Sequence, residues 1–157
     1  MSVTVLGPIK EGGVKVPIYS AKIPAGFPSP ADDHIERHLS IDEHLNVRAP
    51  HVYLCRVDGE SMVGVGILDG QIIVVDRSID PRHGHIVVVV VNGEHQCKRL
   101  SKVGSQIILL SENKNFPSRY ILEGDEMHVW GVVIASVIKR WTWPKLMLGC
   151  YVKNSVW

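Results

Sequence analysis

Apolar residues along this chain recur at period two or in unbroken β-branched blocks, and only rarely at helical spacing. From His51 onward the runs are HVYLCRV, QIIVVD, HIVVVVV, EHQCKRL, QIILLS and MHVWGVVIASVIKRW. Between them lie LDG, DPRHG, VNGE, KVGS and ENKNFPSR, which carry the Gly, Asn, Asp and Pro that tight turns require. Asn92-Gly93, set between two strand-like runs, predicts a two-residue hairpin. Residues 49–141 are therefore predicted to form a single compact, mostly antiparallel β-domain.

Ahead of that domain the texture differs. VTVL and VKVPIY are weaker strand-like pieces in a Gly- and Pro-punctuated stretch. In ADDHIERHLSIDEHLNV (31–47), Ile35, Leu39, Ile41 and Leu45 are spaced partly like one face of a short helix. Asp32 or Asp33 is the candidate cap, and Ala49-Pro50 the stop. The predicted organisation is an extended N-terminal arm (1–25), a linker with a short helical stretch (26–48), the β-domain (49–141) and a tail of unassigned role (142–157).

Composition narrows the class. The chain has 157 residues, 45% hydrophobic and 21% charged, which describes a globular domain with a real core. A net charge of +1 leaves no broad electrostatic footprint for nucleic acid. The cysteines, Cys55, Cys97 and Cys150, are widely spaced and make no disulfide framework or metal pattern. MSVTVLGPIKEGG has neither the basic start nor the apolar core of a signal peptide, and the longest apolar runs (86–91 and 129–138) are too short to span a bilayer. The expectation is a cytoplasmic protein with no membrane association, no metal and no cofactor.

Two stretches carry candidate chemistry. KIPAGFPSP (22–30) is too proline-rich for a helix or a central strand, yet it holds two tiny residues, Ala25 and Gly26, at its centre. GESM (59–62) ends a strand-like run, where the backbone can turn and present the Ser61 hydroxyl. A serine in such a loop is most often a turn residue, and a nucleophile needs a base within reach. The eight histidines offer none in a triad-like pattern. His34 and His38 fit neither zinc-hydrolase motif and read as part of a solvated face. Lys98 is the other option. Alternation along EHQCKRL puts Gln96, Lys98 and Leu100 on one face and Cys97 and Arg99 on the other. A mid-strand lysine is usually an exposed edge residue. If its face is buried, desolvation lowers its pKa and makes it a general base.

GESM, GILDGQIIVVD and HGHIVVVVVNGEHQCKRL together resemble the self-cleaving peptidase domain of the LexA and UmuD family, over roughly residues 17–140. The resemblance implies a β-clip type fold, Ser61 as nucleophile, Lys98 as base and Ala25-Gly26 as the chain's own scissile bond. Gly59 and Met62 are the oxyanion or cleft residues it suggests. Cys97 departs from the β-branched residue usual before the lysine, and the tail after Trp141 runs beyond the expected end. GFPSP followed by an acidic stretch is especially like UmuD, and too few residues precede Ala25 for the helix-turn-helix domain of LexA.

What the resemblance implies is a homodimer with a removable arm (1–25). A RecA filament on single-stranded DNA stimulates its self-cleavage in the SOS response, and the product joins a UmuC-like Y-family polymerase in translesion synthesis. Direct sequence-specific DNA binding is not expected. The rival readings are a dimeric interaction module that does not cleave, a LexA- or phage-repressor-type peptidase lacking its DNA-binding domain, and a signal peptidase, whose membrane anchor this sequence does not show.

Overall fold

Period-two alternation does shape much of this chain into strands. The computed structural model describes residues 2–7, 16–19 and 35–138. Among the described residues there are ten strands: β1 (Ser2–Gly7), β2 (Val16–Tyr19), β3 (Ile35–Leu39), β4 (Val52–Asp58), β5 (Ile72–Asp76), β6 (Ile86–Val91), β7 (Glu94–Val103), β8 (Gln106–Leu110), β9 (Arg119–Tyr120) and β10 (Met127–Val137). The helical content of the described residues is one α turn, α1 (Ile41–His44), and a 3₁₀ turn at Val63–Val65.

Eight strands form one antiparallel sheet in the order β1-β4-β5-β10-β6-β7-β8-β9, and a further β1–β7 pairing, Ser2 opposite Gln96, closes it into a barrel. Inside lie Val3, Cys55, Val57, Met62, Ile67, Ile73, Val75, Val88 and Cys97. A second core forms on the other face of β6 and β7, where Val87, Val89, Val91 and Leu100 pack with Leu109 of β8 and Val132 of β10. Strand β6 thus has apolar partners on both faces, which is why IVVVVV reads as an unbroken run rather than an alternation. The hairpin predicted at Asn92-Gly93 is present. Both residues take positive φ (51° and 86°), as a type I′ turn demands.

Two parts of the sequence reading change. The stretch read as partly helical begins as strand where it is described: Ile35–Leu39 pairs antiparallel with β2, Val16 opposite Leu39 and Tyr19 opposite Ile35. Among its described residues only the turn Ile41–His44 is helical, and Ser40 gives it no side-chain cap. The apolar spacing contains a two-residue step from Leu39 to Ile41, which breaks a 3.6-residue face, and β2 supplies the ladder that the isolated segment lacks. Asp32 and Asp33 lie outside the described residues, as do Ala25, Gly26 and the tail.

The segment read as an arm also contributes to the barrel. Strand β1 pairs with β4 from Ser2↔Asp58 to Gly7↔Leu54, with a bulge between Val5 and Gly7. Its Val3 is buried against Cys55 and Val57. Residues 45–48, at the end of the stretch read as linker, pack Val47 onto Val52 and Val74.

Candidate active site

Ser61 stands in the turn that follows β4. Two glycines shape this turn. Gly59 holds φ +100°, a conformation that suits a residue without a side chain, and its N–H donates to Asp69 Oδ1 at 2.7 Å. A Cβ on Gly64 would lie 2.4 Å from the Glu112 carbonyl oxygen, so only glycine permits this approach. Met62 is fully buried in the barrel core, and its carbonyl accepts the N–H groups of Val65 and Ile67. The Ser61 N–H has no acceptor among the described residues.

Lys98 comes from the middle of β7. Its partner across the β6 ladder is Val87, so its side chain shares the face of the second core. Its Nζ lies 3.0 Å from Ser61 Oγ. Both residues are buried, at 8% exposure for Lys98 and 0% for Ser61. Among the described residues no carboxylate is paired with Lys98. Burial therefore pulls its pKa below the ordinary lysine value. A neighbouring Cys97 thiolate would oppose that shift, but burial pushes this thiol up to about 12, so it is uncharged at neutral pH. Desolvation decides the direction.

A third hydroxyl joins the pair. Lys98 Nζ also donates to Ser111 Oγ at 2.8 Å, and Ser111 Oγ in turn donates to the Pro117 carbonyl at 3.2 Å. Ser111 was not singled out in the sequence, although a signal existed. The KVGS turn pairs Val103 with Gln106, and the ladder then runs to Arg99↔Leu110. One further step sets Ser111 across from Lys98 on the same face. The next residues fasten this segment to the serine turn. Glu112 N–H donates to the Ser61 carbonyl (2.8 Å), the Glu112 carbonyl accepts from Gly64 N–H (2.7 Å), and Asn113 Nδ2 donates to the Glu60 carbonyl (2.9 Å). The Glu112 carboxylate is taken up by Arg99.

Two openings adjoin these residues. A cavity of about 450 Å³ beside Lys98 is lined by Ser2 and Val3 of β1 together with Glu94, His95 and Gln96. A groove runs past Val63, Gly64, Ser111 and Phe116. The histidines near the barrel rim serve turns: His83 Nδ1 accepts from Lys102 N–H and His85 Nδ1 from Arg82 N–H. His38 is an exposed residue of β3. Among the described residues no group of His, Cys, Asp or Glu could hold a metal ion, and no helix is long and apolar enough to cross a membrane.

Fold and site together define a class: an antiparallel β-barrel whose wall carries a buried lysine against a buried serine. Residues 17–134 match the Peptidase S24-like family. Protein MucA of Salmonella typhimurium is 38% identical over 126 residues, covering 80% of this chain and 86% of MucA. Protein SamA of the same species is 35% identical over 123 residues, covering 78% and 85%. The LexA repressor of Vibrio cholerae is 36% identical over 123 residues, 78% of this chain but 58% of the repressor. The chain belongs to the Peptidase S24-like family, as a UmuD-like member of its LexA and UmuD group.

Proposed function

We propose that this protein is a self-cleaving serine peptidase of the SOS response that cuts its own chain between Ala25 and Gly26, with Ser61 as nucleophile and Lys98 as general base. The observation that carries the reading is the 3.0 Å contact between Lys98 Nζ and Ser61 Oγ inside a site that desolvates the lysine. Family membership supports peptidase chemistry of the LexA and UmuD type.

The chemistry follows from those two groups. Neutral Lys98 takes the Ser61 hydroxyl proton as Oγ attacks the Ala25 carbonyl carbon. The tetrahedral oxyanion is held by backbone N–H groups, the Ser61 amide first among them because it has no described acceptor. The Gly59 amide is already engaged by Asp69, so Gly59 serves the turn and Met62 the barrel core. The Lys98 ammonium then returns its proton to the departing Gly26 amine as the Ala25–Gly26 bond breaks. Lys98 next deprotonates a water, which hydrolyses the Ala25 ester on Ser61.

Ala25 and Gly26 are both small, and small residues let a backbone approach a buried hydroxyl. Regulation follows the resemblance: a homodimer, a RecA filament on single-stranded DNA that favours the docked state, and a UmuC-like Y-family polymerase that receives the shortened protein. The test is to hold the full chain at alkaline pH without any partner and record intact masses. The expected product begins at Gly26. A chain that stays whole, or a cut elsewhere, overturns the reading.

A further inference from the structure

Resting on the reading of Ser61 and Lys98 as nucleophile and base, we infer that Ser111 is the positioning residue that aims the lysine lone pair at Ser61. A carbonyl only accepts, so the contact between Ser111 Oγ and the Pro117 carbonyl commits the Ser111 hydrogen to Pro117. Toward Lys98, 2.8 Å away, Ser111 therefore presents lone pairs alone and can only accept. The charged lysine donates to both hydroxyls, Ser111 and Ser61. Once neutral, the amine has two hydrogens and one lone pair. Ser111 accepts one of those hydrogens and offers nothing to the lone pair, whereas the Ser61 hydroxyl can donate to it. The neutral rotamer in which the lone pair faces Ser61 is the one that keeps both contacts.

The fold fixes this geometry twice over. Ser111 lies across the β7–β8 ladder from Lys98, one step past the Arg99↔Leu110 pair. The adjoining Glu112 binds the Ser61 carbonyl and Gly64 N–H through its backbone. One short segment thus registers the base against the nucleophile. The other titratable groups nearby leave that role to the hydroxyl. Cys97 points into the barrel, Glu112 is held by Arg99, and Glu94 and His95 line the cavity on the β1 side.

The experiment measures self-cleavage of the full chain from neutral to strongly alkaline pH. Wild type is compared with Ser111→Ala, Ser111→Thr and Ser111→Val, with Ser61→Ala as the control for the reaction itself. Removing the hydroxyl should lower the high-pH plateau by about 100-fold, the order expected when a reacting group loses alignment. It should also move the midpoint to lower pH, because the ammonium loses an acceptor. Threonine should restore both plateau and midpoint. Valine, which matches threonine in shape, should not, and this pair decides the question even if Ser111→Ala fails to fold. Equal rates for Ser111→Thr and Ser111→Val, or a lowered plateau with an unmoved midpoint, overturn the inference while leaving the Ser61–Lys98 reading intact. Cleavage that persists in Ser61→Ala sinks that reading instead, and this inference with it.

Discussion

Lys98 Nζ stands 3.0 Å from Ser61 Oγ, although the two residues are 37 positions apart in the chain. The contact joins the turn after β4 to the middle of β7, and both ends are buried. Replacing either partner should abolish self-cleavage. Ser61→Ala removes the attacking oxygen and Lys98→Ala the base, and because the two act as one unit the double variant should be little worse than either single one. Intact-mass spectrometry after alkaline incubation reads all three. Substantial cleavage by Lys98→Ala at neutral pH would point to a different base.

The rate should climb with pH and level off below the titration of a free lysine, about 10.4. Burial lowers the Lys98 pKa, so the folded protein binds fewer protons than the unfolded chain between the lowered value and the free one. Unfolding free energy accordingly rises with pH through that window and falls as pH drops through it, the cost of a buried ammonium returning. Cleavage timed across the alkaline range checks the first statement, and denaturant melts of Ser61→Ala check the second. A flat rate from neutral pH to the alkaline limit would contradict a lysine base.

Gly64→Ala should slow cleavage by about tenfold or more and reduce stability by about 1–3 kcal/mol, the usual cost of forcing atoms into a packed site. Its Cβ would sit 2.4 Å from a backbone oxygen of Glu112, which cannot swing aside as a side chain would. Gly70→Ala is the comparison. It meets no atom within 4 Å and carries only the strain of φ +74°, so cleavage should survive. Thermal melts beside cleavage rates separate the two positions.

Cutting after Ala25 would sever β1 from the rest of the barrel. The strand should stay bound for a time, held by its ladder to β4 and by buried Val3. Full burial of a valine is worth about 1.5–3 kcal/mol. A chain of residues 26–157 should therefore melt below full-length Ser61→Ala by several degrees, at about 2–4 °C per kcal/mol for a chain of this size. Added peptide 1–25 should restore part of the loss. Identical melting temperatures would show that β1 contributes nothing to the barrel.

Much of this was legible in the sequence because it is local. The period-two runs marked the barrel strands, Asn92-Gly93 marked its hairpin, and the alternation along EHQCKRL put Lys98 and Leu100 on one face. GESM and the lysine strand, taken with the resemblance they support, were enough to name both members of the buried pair. What the sequence alone left open depends on which distant segments meet. A lysine in mid-strand is exposed or buried according to the strands that flank it, and only the β6–β7–β8 arrangement put Lys98 into a desolvated site. Ile35–Leu39 became a strand because β2 lay beside it, and a hydrophobic period cannot report a neighbour. Val3 entered the core through pairings with β4 and β7, far along the chain. Ser111 reached Lys98 by ladder register, which each residue pair transmits to the next. Side-chain periodicity is written residue by residue, whereas burial and register are properties of the closed sheet.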